Sequence, residues 1–376
     1  MAGIAVRVRP VALGDQEQLV ALAGLLDTVN LPRDPAVVGQ LIATSVKSFA
    51  GQGGKDASYT FVAERGIGRE ATLLGTASLF AFHGMPDDPH YYLRVDEQSA
   101  FSKQLSAERK RTVLKLGRDL EPWTEFGGLV VHPESRGAGV GKLLVAIRLL
   151  YIAMHPNRFC RRLLAELLPP RRPDGGNAFW DAVGKPLTGL DYYRADLLCR
   201  TDKEFIEAFF PPDELVAELL PAEARALIGV EGPATTPVRA LLRRAGFKYL
   251  HTIDPFDAGP HDGVDVAQVG PIQRTRKLVK LDLPPGGPEA RQQSSGPEAR
   301  QQSSGPEARQ QSSGPEARQQ SGTSGEPPSL LVATSQVHAA VIPALVVGDG
   351  LRCYHLFADG LDLRPGDPCW VMPLDW

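Results

Sequence analysis

Hydrophobic and polar positions recur along the chain with two different periods, and the switches between them give the order of elements. Residues Ile4 to Val11 alternate as a strand. From Asp15 to Val29 the pattern places Leu19, Leu22, Leu25 and Leu26 on one helical face, and a second amphipathic helix is predicted over Ala36 to Phe49. Tyr59–Glu64 and Leu73–Phe82 read as paired strands about a turn at Gly66 and Gly68. Residues 83–125 form a polar insertion rich in Asp, Lys, Arg and Gln, with a helix expected over Ser106 to Leu116. Leu129, Val130 and Val131 make a short apolar run, hence a buried strand. Helical spacing returns with Val140, Leu143, Leu144, Ile147 and Tyr151. Arg162–Leu168 is the next strand candidate, and Asp202–Phe210 and Pro221–Ile228 carry helix signals. Pro237 to Ala245 is a helix that Gly246 caps in the left-handed conformation, with Phe247 opening a strand. The class implied is α/β, or α+β: a mixed sheet flanked by helices.

From Gly287 a nine-residue unit repeats four times, to about Ser321, without an aromatic or β-branched residue. Such a segment cannot bury enough surface to offset its ordering entropy, so it reads as a disordered linker. Leu330–Val347, Leu351–Phe357 and the stretch up to Leu374 recover strand character. Three parts are therefore expected: residues 1–280 with an insertion at roughly 170–234, a linker over 281–328, and a small C-terminal β module, 329–376, packing on the first part.

Composition narrows the class without choosing a function. The 376 residues are 43% hydrophobic and 23% charged, as in an ordinary globular protein, and the formal net charge of −3 carries no nucleic-acid or anionic-membrane signal. No apolar run reaches the ~18 residues of a spanning helix, and residues 1–10 read directly as a strand, not a signal peptide. Cys160, Cys199, Cys353 and Cys369 are scattered, which argues for reduced thiols and a cytoplasmic location. His83, His132 and His155 lack metal-ligand spacing, so no metal is expected.

The chemistry-bearing stretch lies between the Leu129 strand and the helix after it. Pro133 stops the strand, and Arg136, Gly137, Ala138, Gly139, Val140 and Gly141 lead into Lys142. Glycines allow close approach of a ligand, and the first helical turn offers free amides and the positive dipole end to a phosphate. The spacing is neither the dinucleotide fingerprint nor a P-loop, because the glycines fall at 137, 139 and 141 and Leu143 follows Lys142. Apart from a ligand-free turn, the reading left is Arg-x-x-Gly-x-Gly after a strand ending Val-x-Pro. That stretch closely resembles the pyrophosphate loop of the acyl-CoA N-acyltransferase superfamily.

Further blocks resemble the bacterial arginine N-succinyltransferases: Asn177–Gly184, Asp191–Leu197, Lys203–Ala208, Ile228-Gly229, Pro233–Thr235, Pro237, Gly246-Phe247 and Ile253–Pro260. The resemblance covers about residues 4–276 and, more weakly, 329–376. It implies an N-acyltransferase-like fold and transfer of a succinyl group from succinyl-CoA to the α-amino group of L-arginine, the first step of a succinyl-based arginine degradation. It also implies small-molecule partners, no metal, and a homo- or hetero-oligomer. Succinyl-CoA would lie along Leu129, Val130 and Val131, with its pyrophosphate on the amides from Gly137 to Lys142 and a backbone amide of Val130 or Val131 polarising the thioester. Two other readings stay open: ornithine or another basic amino acid as acceptor, and a non-catalytic CoA-binding subunit.

The resemblance breaks at one position. The family block Ile-Gly-x-x-His-Pro-x-Thr has Gly232 where its proton-transferring histidine stands, and Leu242 occupies the superfamily's alternative tyrosine position. Glu231 or His251 could take over proton transfer, although each also reads as an ordinary turn carboxylate or strand histidine. Glu166, Asp254 and Asp257, with Asp191 and Asp196, form the pool of carboxylates for a guanidinium. Arg194 or Lys185 would face the succinyl carboxylate.

Overall fold

The computed structural model describes residues 6–25, 31, 33–66, 68–172, 174–199, 203–282, 329–353 and 361–376. The repeats, and the expected linker from residue 283 on, lie outside the described residues. The strands are β1 (Val6–Pro10), β2 (Ser58–Arg65), β3 (Thr72–His83), β4 (His90–Ser102), β5 (Ala107–Asp119), β6 (Trp123–Val131) and β7 (Arg162–Glu166), followed by β8 (Leu215–Val216), β9 (Lys248–Ile253), β10 (Pro260–Asp265), β11 (Arg276–Lys280), β12 (Ser329–Thr334), β13 (Ala339–Val347), β14 (Gly350–Cys353) and β15 (Pro368–Pro373). They join in the order β12-β15-β11-β14-β13-β1-β2-β3-β6-β7-β10-β9-β4-β5-β8. This is the mixed, helix-flanked sheet that the periodicity implies. Among the described residues no helix is long and apolar enough to cross a membrane.

Helix α2 (Pro35–Phe49) matches its sequence pattern, and Asp34 caps it by accepting from the Ala36 amide, whereas α1 (Gln16–Gly24) buries Leu19 and Leu22 but ends before Leu25, which is exposed. The central helix α3 (Val140–Met154) is buried nearly all round, because it lies between the sheet and the elements outside it. The pleat of β2 sorts its side chains accordingly: Phe61 and Ala63 join the core around α3, while Val62 joins the cluster of α1 and α2. Short helices α4 (Ala178–Ala182), α5 (Gly184–Thr188), α6 (Tyr192–Cys199), α7 (Glu204–Phe209) and α8 (Ala222–Arg225) fill the insertion. Trp180 stacks on Phe256 there, with ring centroids 4.7 Å apart. Helix α9 (Thr236–Ala245) ends at Gly246, whose φ of +120° only glycine adopts readily. The short α10 (Gly270–Gln273) precedes β11.

The polar insertion departs from expectation. Residues Ser106–Leu116 are not helical: β4 and β5 form a long hairpin paired from His90–Asp119 out to Ser102–Ala107. Their charged residues favour a helix locally. Burial of Val113 and Leu114 and pairing with β8 override that preference.

Strand β12 pairs β13 as well as β15, so β11 to β15 close into a five-stranded barrel. Its core holds Leu278, Val332, Ile342, Leu351, Cys369 and Val371. The barrel takes β11 from before the repeats and four strands from after them, and β13 pairs with β1 of the main sheet.

Candidate active site

The strand–loop–helix stretch builds a groove. After β6, Gly137 and Gly139 take φ of +79° and +83°, which releases the chain into α3. The groove, of about 990 Å³, runs between Leu129–Val131 with the Gly-rich loop on one side and Pro169–Arg171, Gly232–Thr235 and α9 on the other. Arg136, Lys142, Arg171 and Arg244 line it, and among the described residues no carboxylate does. With the first-turn amides of α3, this is an environment for phosphates. Of the loop residues singled out from sequence, Ala138 and Val140 do not line it: the Ala138 amide donates to the Ser135 carbonyl, and Val140 is buried in the core. Lys142 Nζ donates to the Leu374 carbonyl at 2.6 Å and lies over the Trp376 ring.

Parallel strands β6 and β7 pair at Thr124–Leu163 and Glu125–Leu164, and part beyond them. Beyond that pairing β6 carries a bulge: between the pairs Gly127–Ser78 and Val130–Thr76, Gly128 and Leu129 oppose the single residue Ala77 of β3. The His132 amide donates to the Leu74 carbonyl, so the alternation of an antiparallel ladder turns the Val131 amide away from β3 and the Val130 amide toward it.

A second cavity, of about 280 Å³, opens on the far side of this splay. It shares Leu129, Leu168, Ala234, Thr235 and Val238 with the groove, so the two meet where β6 and β7 part. Glu125, Glu166, Asp196, Asp254 and Asp257 line it, together with His83, His90, Arg148 and Lys203. The carboxylates Glu166, Asp254 and Asp257 named from sequence thus come together. Asp254 is fixed by the turn after β9, where its Oδ1 accepts from the amides of Phe256 and Asp257. Asp257 accepts from the Gly259 amide, and its Oδ2 lies 3.5 Å from the Tyr192 hydroxyl.

Burial and charge pull these groups apart electrostatically. Burial pushes Asp254 up to about 7, Asp257 well above the usual carboxylate range, and Glu125 upward. Burial also raises Glu166, but His83 and His90 outweigh it and hold that carboxyl well below its ordinary value. His90 Nδ1 sits 3.1 Å from Asp119 and Nε2 3.0 Å from Glu166. Burial alone would depress this imidazole, yet the two carboxylates carry it up to about 9. His261 has no carboxylate contact of that kind, and burial takes it down to about 3. His83 lies 3.3 Å from Glu125 and 3.5 Å from Glu166. Sequence spacing offered no metal-ligating set, whereas the folded strands bring ring nitrogens of His83 and His90 and an oxygen of Glu166 within 4.8 Å of one another.

Neither Glu231 nor His251 lines either cavity. Glu231 is held by Arg239 at 2.5 Å, and Arg239 in turn forks onto the buried Asp262. His251 is exposed, at φ +57° on β9, with its ring against Tyr249. Gly232 does line the groove; its amide donates to the Leu168 carbonyl, and a Cβ there would lie 2.7 Å from the Pro169 oxygen. Arg194, Lys185 and Asp191 lie outside both cavities. The imidazoles His83 and His90, with Glu125 and Arg148, were not singled out from sequence as site residues, because they stand on separate elements and no local motif joins them.

Residues 6–270 match the family described as arginine N-succinyltransferase beta subunit. Arginine N-succinyltransferases of Salmonella paratyphi B and Salmonella typhimurium are each 33% identical over 273 residues, 72% of this chain and 78% of theirs. The solved arginine/ornithine succinyltransferase subunit AI from Pseudomonas aeruginosa has the same fold, with a TM-score of 0.76 at 22% identity over 100% of both chains.

Proposed function

Because the chain belongs to the arginine N-succinyltransferase family, we propose that it transfers the succinyl group of succinyl-CoA to the α-amino group of L-arginine. The observation that carries this reading is the junction itself. A cationic groove suited to the phosphates of an acyl-CoA opens, at Leu129, Leu168, Ala234, Thr235 and Val238, into a carboxylate-lined cavity suited to a guanidinium.

The thioester sits at that junction, where Leu129 is the one β6 residue lining both cavities. The Val131 amide, turned from β3, and Leu129 at the bulge engage the acyl carbonyl and the adjoining coenzyme arm. Asp254, Asp257 and Glu166 receive the guanidinium and hold the α-amine toward the junction. The amine nitrogen attacks the thioester carbon, the C–S bond breaks, and the sulfur leaves as thiolate. Glu125, on β6 beside the junction and raised by burial, takes the proton that the amine loses, with His83 at its other oxygen. That proton then passes from Glu125 through water to the thiolate, which completes CoA and restores the carboxylate.

Thiol release by the purified protein from succinyl-CoA, with and without L-arginine and with ornithine as a control acceptor, tests this. Arginine-dependent release with a product of the mass of succinylarginine is the expected result. Release indifferent to arginine would sink the reading.

A further inference from the structure

Among the described residues Arg148 is a cation without a counter-ion. It projects from the middle of α3 and is 1% exposed, yet among the described residues it forms no ion pair. Its Nε donates to the Leu144 carbonyl at 3.1 Å, its Nη1 lies 3.4 Å from the carbonyls of Ser78 and Gly127, and its plane covers the Phe126 ring at 4.6 Å. Among the described residues Nη2 makes no hydrogen bond, and the side chain lines the acceptor cavity beside Gly127, Gly128 and Leu129. Burying a charge is costly unless it is paired, and neutral carbonyls and one ring do not neutralise a guanidinium. Burial accordingly draws its pKa down to about 9, against a milder opposite pull from Glu125. Glu125 itself faces His83.

The location adds direction. Arg148 reaches the cavity at the β6 bulge, next to the junction where the thioester must lie, and not at the far wall of Asp254 and Asp257. Gly127 and Gly128 place no side chain over it. The other lysine or arginine lining this cavity, Lys203, is paired with Asp88 at 2.9 Å. A short acyl chain at the junction whose far end is a carboxylate would supply the missing charge, in the forked geometry that arginine favours.

We infer that Arg148 is the receptor for the distal carboxylate of the acyl group, and so the residue that makes this site select a dicarboxylic half-thioester over a neutral acyl chain. The inference rests on the acyl-transfer reading above and deepens it.

The test compares succinyl-CoA with butyryl-CoA, in which a methyl replaces the carboxylate, by equilibrium binding and by kcat/KM with L-arginine. The wild-type protein is expected to prefer succinyl-CoA by ~100-fold or more, and Arg148→Met to lose that preference mainly through the succinyl value. Arg148→Lys, which keeps the charge but not the fork, should retain part of it, and it serves if the Met variant does not fold. Equal binding of the two thioesters by the wild type would overturn the inference. So would a parallel fall of both thioesters in the variants, which marks a purely structural arginine. A raised KM for arginine with acyl preference intact would also overturn it, since Arg148 would then serve the acceptor's carboxylate. If no acyl-CoA supports arginine-dependent thiol release, the proposed function fails, while the binding comparison still decides the role of Arg148.

Discussion

Gly232 shows how one position can rule out a familiar solution. Its amide is bonded to Leu168, and the Pro169 carbonyl occupies the space a side chain would need. Gly232→His therefore has to displace the Pro169–Pro170 segment. It should lower stability by ~1–3 kcal/mol, seen in the urea midpoint, without raising turnover; a faster enzyme would mean the segment yields easily. The proposed mechanism gives proton transfer to Glu125 instead, so Glu125→Gln should cut kcat by ~10²–10⁴-fold while changing the KM for acyl-CoA little. Asp254 gives a pH dependence with a definite sign. Its folded pKa is raised from 3.8 to about 7, so it is a neutral acid below that value and a carboxylate above. The KM for arginine should fall as pH rises from ~6 to ~8, because only the carboxylate pairs with a guanidinium. In the absence of arginine the same group favours folding below its unfolded pKa, and that contribution is lost as pH rises to about 7. A flat KM profile would remove Asp254 from the acceptor site.

What could be read in advance depended on how far apart in the chain the cooperating residues lie. The Gly-rich loop was legible because strand, proline, arginine and glycines are consecutive and each has a local reason. Its conformation makes a further prediction: Gly139→Val must hold a β-branched residue at φ +83°, costing ~1–3 kcal/mol. It should raise the KM for acyl-CoA more than that for arginine in steady-state kinetics. The β4–β5 hairpin was illegible for the opposite reason. Its second strand has helix-forming composition, and only its partner, thirteen residues in register, makes it extended. The acceptor site was half hidden with it. His83, His90, Asp119, Glu125, Glu166 and His261 come from β3, β4, β5, β6, β7 and β10, and only sheet register, as in His261 opposite Glu166, brings them together. Asp254 and Asp257 were accessible because one tight turn carries both.

The strands on either side of the repeats, β11 and β12, lie in one barrel. Strands β11 and β12 both run antiparallel to β15 and flank it, so they are parallel and about 10 Å apart. Passing from Lys280 to Ser329 requires a crossover of one short strand's length, which ~12 residues can span. Replacing residues 283–328 by a Gly/Ser linker of that length should leave thiol-release kinetics unchanged and move the unfolding midpoint by no more than ~1 kcal/mol equivalent, since closure entropy varies slowly with loop length. Lost activity with an intact fold would show that the repeats contribute to the reaction.

The interleaving of this barrel with the main sheet also sets a timetable. Residues 6–282 leave the ribosome first, with β1 lacking its β13 neighbour, β11 lacking both of its own, and Lys142 lacking the Leu374 carbonyl. At ordinary elongation rates the remaining hundred or so residues take roughly 5–20 s. Throughout that interval the nascent chain carries open strand edges and an unbraced coenzyme loop. A ribosome stalled within the repeats would thus hold a polypeptide whose Lys142 still lacks the carbonyl that fixes it.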